Sequence, residues 1–393
     1  MAPAFGSASA TGESLPDLVD AISSRALSAL GPGDAPDLAA LFVTPDFGMA
    51  HTGAGPRVRG KTGAKHLLGC SGAGVIGAEA EREGGHAAAL FLARLPGTEI
   101  RPFRLQQSQL EVLDSADATR ERLEIPAAGE PSFLLLAEPY SLDAEGLLAR
   151  MNEAWPGRPI IGGMASGGAR PGIHALWLDE DTERSGAVGL ALTGGSVSLR
   201  PLVSQGCRPI GRRFTVTKAE GPRVFTLAGK PAAAALRETV DALPPDDRAL
   251  ARTSLHFGRV AHEARSEFHR GDFLIRNLMA VVPEDGSLMV GDHVRSGQTV
   301  QFQLRDAAAA TEDFAELLDL EAAVGRPGAA LLFSCGGRGS HLFGEPDHDL
   351  NLVKRRLREF PLAGFFCNGE IGPVGPSKFL HGFTSSMALF QAR

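Results

Sequence analysis

The stretch "LAGFFCNGEIGPVG", residues 362–375, opens as an apolar run, passes Cys367, and turns at Asn368–Gly369 before Glu370 and further glycine and proline positions. An apolar run of this length bounded by turn residues reads as a buried strand ending in a tight loop. Two other stretches share the shape, "HLLGCSGAGVIG" (66–77) and "RPIIGGMASGG" (158–168). Their surroundings recur too. "LAALFVTP" (38–45), "SFLLLAEP" (132–139) and "AALLFSC" (329–335) read as strands preceding them, and "HAAALFLARL" (86–95), "SGAVGLALTG" (185–194) and "HGFTSSMALFQ" (381–391) as strands returning after them. Three passes in the same order point to internal duplication.

In the second and third passes the crossing segment is helical. "LDAEGLLARMNEAW" (142–155) carries acids early, and "DHDLNLVKRRLREF" (347–360) puts Leu350, Val353, Leu357 and Phe360 on one face. The first crossing segment, "DFGMAHTGAGPRVRGKTGAK" (46–65), is glycine-rich and gives only a weak helical signal. Residues 15–30 read as an amphipathic helix and 230–243 as another, stopped by Pro244 and Pro245. "FLIRNLMAVVPEDGSLMVGDHVRSGQTVQFQLRD" (273–306) reads as three strands joined at "EDG" and "RSGQ". The expected fold is α/β (mixed α+β): layered mixed sheets flanked by helices, in two related halves with internal duplication. The seam falls near "SQGCRPIGRRFTV", which divides the chain into an N-terminal tail and helix (1–35), a first domain (36–205) and a second (206–393).

At 393 residues, 43% apolar and 22% charged, the chain is an ordinary folded protein too long for a single core. Its net charge of −7 leaves no basic face for nucleic acid. The basic run at Lys354, Arg355, Arg356 and Arg358 closes a helix, where cations complement the dipole. The N-terminus lacks the basic and apolar regions of a secretory signal, and no apolar run reaches the roughly 20 residues that span a bilayer. A cytoplasmic protein without membrane or nucleic-acid partners is therefore expected. Cys70, Cys207, Cys335 and Cys367 are widely spaced, which argues for reduced thiols and against a zinc cluster.

Several motifs have a duller reading that wins. "GPRVRGKT" (55–62) matches the phosphate-loop pattern, but no strand leads directly into it. "GAGVIG" (72–77) matches the dinucleotide fingerprint, but no long helix follows. "EPDHD" (345–349) gathers ligand-type side chains, yet acids at a helix start are better read as caps. No cofactor and no metal is expected.

One constellation remains. Glycine loops at strand ends can form an anion nest, Arg338 in "CGGRG" supplies a bidentate donor, Glu370 an acceptor for an ammonium, and Asn368 both functions. Together they would suit a zwitterion, unless Arg338 and Glu370 pair with each other or with the backbone. The candidate ligand-binding set is Cys335, Gly336, Gly337, Arg338, Gly339, Cys367, Asn368, Gly369, Glu370 and His381, with Gly72, Ser166 and Gly167 completing the wall.

The chain resembles the FIST family (F-box and intracellular signal transduction). "GCSGAGVIG" and "PIIGGMASGG" resemble its N-terminal domain. Residues 273–307, "ALLFSCGGRG", "LAGFFCNGEIGPVG" and "LHGFTSSMALF" resemble its C-terminal domain. The resemblance runs from about residue 36 onward, and its last motif is the most specific. It implies a sensory module for small ligands, proposed to be amino acids, found alone or joined to signalling domains. No F-box, kinase or cyclase segment is recognisable, so the signalling partner is not indicated. Two other classes stay open: a cysteine-dependent hydrolase or isomerase using Cys335 or Cys367, and a protein-interaction scaffold.

Overall fold

The computed structural model describes residues 2–265 and 267–393. They form two compact units, one made of the chain up to Val203 with Ala315–Leu380 and Thr384–Arg393, the other of Ser204–Phe314 with His381–Phe383.

The larger unit contains three six-stranded sheets built to one plan. In the first the order is Ala4–Thr11, Ala87–Arg94, Leu38–Val43, His66–Ser71, Leu176–Leu178, Asp181–Glu183. In the second it is Thr98–Leu105, Ala187–Gly194, Ser132–Ala137, Ile160–Met164, Glu370–Val374, Ser377–His381. In the third it is Val197–Gln205, Thr384–Ala392, Ala329–Cys335, Leu362–Cys367, Val75–Gly77, Glu81–Arg82. The third and fourth strands of each are parallel and the returning strand pairs antiparallel with the third. Each pass thus supplies four strands of one sheet, while the hairpin that follows its glycine turn crosses to the next sheet. The exchange is cyclic: the first pass lends 75–82 to the third, the second lends 176–183 to the first, and the third lends 370–381 to the second.

Register makes positions in the three passes comparable. Leu41 lies opposite Gly69, Leu135 opposite Gly162, and Leu332 opposite Gly364. At each of these glycines a Cβ would fall on the carbonyl oxygen of the opposing leucine, so the close approach of the parallel strands requires glycine. One residue on, the borrowed hairpins pair Leu176 with Cys70, Val75 with Phe365, and Glu370 with Gly163. Val75, Leu176 and Glu370 therefore occupy equivalent places.

The strands are apolar throughout because both faces are covered. Ala40, Phe42, Leu134, Leu136, Leu331 and Phe333 face one shared core. There Phe42 stacks on Phe365 with ring centroids 5.0 Å apart and Phe333 meets both rings edge-on. The alternate residues Ala39, Leu41 and Val43 pack with the helix Leu15–Leu30, and Phe133, Leu135 and Ala137 with the helix Ala144–Ala154. Leu15–Leu30 starts at Ser14, whose hydroxyl accepts from the Asp17 amide, and buries Leu15, Leu18, Val19, Ile22, Ala26 and Leu30 on one stripe. Burying each of the larger side chains contributes about 1.5–3 kcal/mol.

The first crossing segment is helical after all. A 3-10 stretch, Pro45–Gly53, runs into the helix Ala54–Thr62, which contains the phosphate-loop look-alike in its interior. Its glycines hid it: a Cβ at Gly55 would press into the Trp177 ring at 2.7 Å, so packing rather than helix propensity sets that residue.

In the smaller unit the strands Thr299–Arg305, Phe214–Glu220, Arg223–Leu227, Ser287–Val290, Phe273–Val282 and Leu255–Val260 pair in that order, all antiparallel, and the last pairs back with the first. The six strands close into a barrel around Val216, Phe257, Leu288 and Phe302. No helix among the described residues is long and apolar enough to cross a membrane.

Candidate functional site

The three glycine turns meet. The Ser166 amide donates to Ser71 O at 3.1 Å, its hydroxyl accepts from the Ala73 amide at 2.8 Å, and the same hydroxyl donates to Phe366 O. Asn368 N donates to Met164 O, Met164 N to Gly369 O, and Phe366 N to Gly74 O. Gly167 packs so closely on Pro45 and Ala73 that a Cβ there would collide with both. Cys335 and Cys367 sit side by side in parallel register, and the Gly336 amide donates to Cys367 O at 2.9 Å. Gly72, Ser166, Gly167, Cys335, Gly336, Cys367, Asn368 and Gly369 thus share one knot of turns, with Gly336, Gly167 and Asn368 at its surface. Ser166 serves there as a clasp, since its hydroxyl is already used in both directions. Two nest amides are also engaged, Gly336 N with Cys367 O and Arg338 N with Cys335 O.

Below the turns lie the charged groups. Arg338 is buried and does not pair with Glu370. Its Nε and Nη2 donate to the two oxygens of Asp349 at 2.7 and 2.8 Å, its guanidinium carbon lies 5.1 Å from the Phe343 ring centre, and Phe343 stacks on His348. Asp349 also accepts from Ser334 Oγ and His348 Nδ1, both at 3.1 Å. Burial opposes its charge, yet the guanidinium holds its carboxyl well below the usual range. The acids of "EPDHD" therefore do not act as helix caps: Asp349 turns inward as the counter-ion of Arg338, and Asp347 accepts from the Glu81 amide. Gly339 begins the short turn Ser340–Phe343 at φ 73°, and Gly337 stands half-buried between Gly336 and Arg338.

Glu370 is fully buried. Its Oε2 accepts from Thr384 N at 3.2 Å and Thr384 Oγ1 at 2.8 Å, while Oε1 has no hydrogen-bond partner of good geometry among the described residues. Burial pushes its pKa to about 8, against the pull of Thr384 and the weaker field of Arg338, so it is largely protonated at neutral pH. The equivalent positions hold Val75 and Leu176, and an acid replaces an aliphatic side chain only in this pass.

The thiols are quiet. Burial lifts the pKa of both Cys70 and Cys367 well above the ordinary thiol value, and Cys367 Sγ reaches only Phe365 O at 3.7 Å, so neither is a ready thiolate. Cys335 is half-buried. His381 is buried at the end of the strand Ser377–His381, the second strand of the hairpin that begins at Glu370, and it is grouped with the smaller unit.

Two buried arrangements carry no sequence signal that would have found them. Glu81 accepts from the Leu350 amide at 2.8 Å and is pushed to about 8 by burial and by repulsion from Asp349. His174 Nδ1 lies 2.8 Å from Glu138 Oε1, both residues are wholly buried, and the Tyr140 ring stacks on the imidazole at 5.8 Å. No group of three or more ligand-type side chains suited to a metal occurs among the described residues.

Comparison with known proteins gives two adjacent family matches, the FIST N domain over residues 37–230 and the FIST C domain over residues 232–373. An uncharacterised protein of Mycobacterium tuberculosis is 41% identical over 327 residues, covering 82% of this chain and 83% of its own. An uncharacterised protein of Mycobacterium bovis is 38% identical over 364 residues, 91% of each chain. A crystal structure of a cyanuric acid hydrolase from A. caulinodans aligns with 99% of both chains at 10% identity and a TM-score of 0.35, too low a likeness to transfer anything.

Proposed function

The chain belongs to the FIST family, whose domains serve generally as sensory, ligand-binding modules in signalling, and from that premise we propose that it senses amino acids or related small carboxylates in the cytoplasm. The binding place is the knot of turns at residues 72–74, 166–168, 335–339 and 367–370. The observation that carries this reading is Glu370: a carboxyl buried where the equivalent positions hold Val75 and Leu176 weakens the fold at neutral pH, and such costly groups concentrate at functional sites. Glu370 receives the ligand ammonium, and the surface side chain of Asn368 receives its carboxylate. Arg338, committed to Asp349, contributes its field rather than a direct contact. Access to Glu370 requires the Asn368–Gly369 turn to move aside.

An ammonium pairs with the ionised form of Glu370, so binding at pH 7 releases a proton, and affinity rises as pH approaches 8. Calorimetric titration with an amino-acid and carboxylate panel, run in buffers of different ionisation enthalpy, reads both quantities. A saturable heat with net proton release, weakened at least about tenfold by Glu370→Gln, is expected. Absence of saturable heat for every member of the panel removes the proposal.

A further inference from the structure

Cys335 and Cys367 end two parallel strands and stand directly opposite each other. The ladder is intact at that point, since the Gly336 amide donates to Cys367 O at 2.9 Å. Neighbouring strands lie about 4.8 Å apart, inside the roughly 4.4–6.8 Å between Cα atoms that a disulfide spans. Side chains opposite each other in parallel register share a face, and here it is the face of Phe333 and Phe365, two residues back. Both strands then run into residues that let the backbone shift, Gly336 and Gly337 after one, Asn368 and Gly369 after the other. Counted on from the matched glycines, the same two positions hold Thr44 and Gly72 in the first pass and Glu138 and Ala165 in the second. Only the third pass sets two thiols abreast.

The two thiols are not alike. Cys367 is buried, and its ionisation is opposed by that burial, then by the charges of Glu370, Cys70 and Cys335. Cys335 is half-buried beside the exposed Gly336. Negative charge on its sulfur favours the Arg338 guanidinium, so by reciprocity the guanidinium favours a thiolate at Cys335. Asp349 fixes that guanidinium through two hydrogen bonds. An accessible sulfur beside a cation, with a second, protonated sulfur next to it, is the layout of a peroxide-reactive pair, in which the first thiol is oxidised and the second resolves the product.

We propose that Cys335 and Cys367 form a reversible oxidant-sensing pair whose oxidant is a hydroperoxide. The Cys335 thiolate attacks the hydroxyl oxygen of the peroxide. The S–O bond forms, the O–O bond breaks, sulfur gives up two electrons, and the alkoxide or hydroxide that leaves takes a proton from water. The Cys367 sulfur then attacks the Cys335 sulfenic acid. The S–S bond forms, the S–O bond breaks, and hydroxide departs with the Cys367 proton as water. A dithiol returns both thiols by exchange, itself becoming a disulfide. No step uses a ligand at Glu370, so the pair stands whether or not one binds there.

The test is treatment of the reduced full chain with hydrogen peroxide at neutral pH. Of the four thiols, titration in denaturant should show two lost, peptide mapping should join Cys335 to Cys367, and dithiothreitol should restore all four. Cys335→Ser should slow peroxide consumption at least about tenfold, and Cys367→Ser should leave a Cys335 sulfenic acid that dimedone traps. Both variants are checked for unchanged melting, and mapping of the unmutated chain needs neither. Survival of every thiol in about a tenfold excess of peroxide overturns the inference. So does a bridge joining any other two cysteines, or oxidation of Cys335 to the sulfinic acid with no bridge.

Discussion

Arg338 and Asp349 form a two-pronged ion pair closed off from solvent, with Nε and Nη2 of one 2.7 and 2.8 Å from the two oxygens of the other. The pair ties the turn after the strand Ala329–Cys335 to the helix His348–Leu357. Buried pairs of this kind owe their effect to completeness: removing one partner strands a charge in a medium that solvates it poorly.

Asp349→Ala and Arg338→Ala should therefore each lower stability by about 3–5 kcal/mol, whereas the double change Arg338→Met/Asp349→Leu should recover most of the loss. Denaturant unfolding at constant slope measures all three. Single variants within about 1 kcal/mol of the parent would show that water reaches the pair.

The thiol arrangement predicts selective chemistry. Cys70, Cys207 and Cys367 are buried and Cys335 half-buried, so iodoacetamide near neutral pH should leave the first three unmodified in the folded protein and label Cys335 alone, if any. Mass spectrometry of the alkylated chain reads this directly. Rapid labelling of Cys367 would revive the thiol-nucleophile reading.

How far the fold was legible follows from where its determinants lie. Strands such as Leu362–Cys367 and Ser132–Ala137 announce themselves as apolar runs stopped by glycine, because both faces are buried and the chain must then turn. The helix Ala54–Thr62 does not, since Gly55 is set by the Trp177 ring it must avoid, a residue more than a hundred positions away. The cyclic exchange of hairpins is equally silent, for nothing local to Glu370 specifies that it pairs beside Gly163. At the candidate site the meeting of the turns could be anticipated from their repetition. The partner of Arg338 could not: an aspartate at a helix start reads as a cap, and only the packed structure turns Asp349 inward. Glu138 and His174, separated by 36 positions, are invisible for the same reason.

The matched glycines give a prediction about repetition itself. Gly69→Ala, Gly162→Ala and Gly364→Ala each drive a Cβ onto the carbonyl of the opposing leucine, which rigid parallel backbones cannot relieve. Each should destabilise by about 1–3 kcal/mol or more, with similar values at the three sites because the geometry is shared. Thermal unfolding of the three variants side by side tests it. A neutral result at one site would mean that its strand pair separates without cost.

Glu370 sets the sign of a pH effect. Its pKa is about 8 in the folded protein against an ordinary value of 4.5, so the native state binds more protons than the unfolded state between those limits. Stability from this group is complete below about pH 4.5 and falls as pH rises to 8, by at most about 5 kcal/mol. Glu81, also pushed to about 8, adds in the same direction, whereas Asp349, held low by Arg338, loses its contribution only in acid. Glu370→Leu restores the aliphatic character of Val75 and Leu176 at the price of leaving the Thr384 hydroxyl without its acceptor. Measured by denaturant unfolding at pH 5, 7 and 9, the variant should gain on the parent steadily with pH, most at pH 9, while retaining the part of the slope that belongs to Glu81. A difference between variant and parent that stays flat across this range, or shrinks toward pH 9, would mean that Glu370 is ionised and solvated in the native protein.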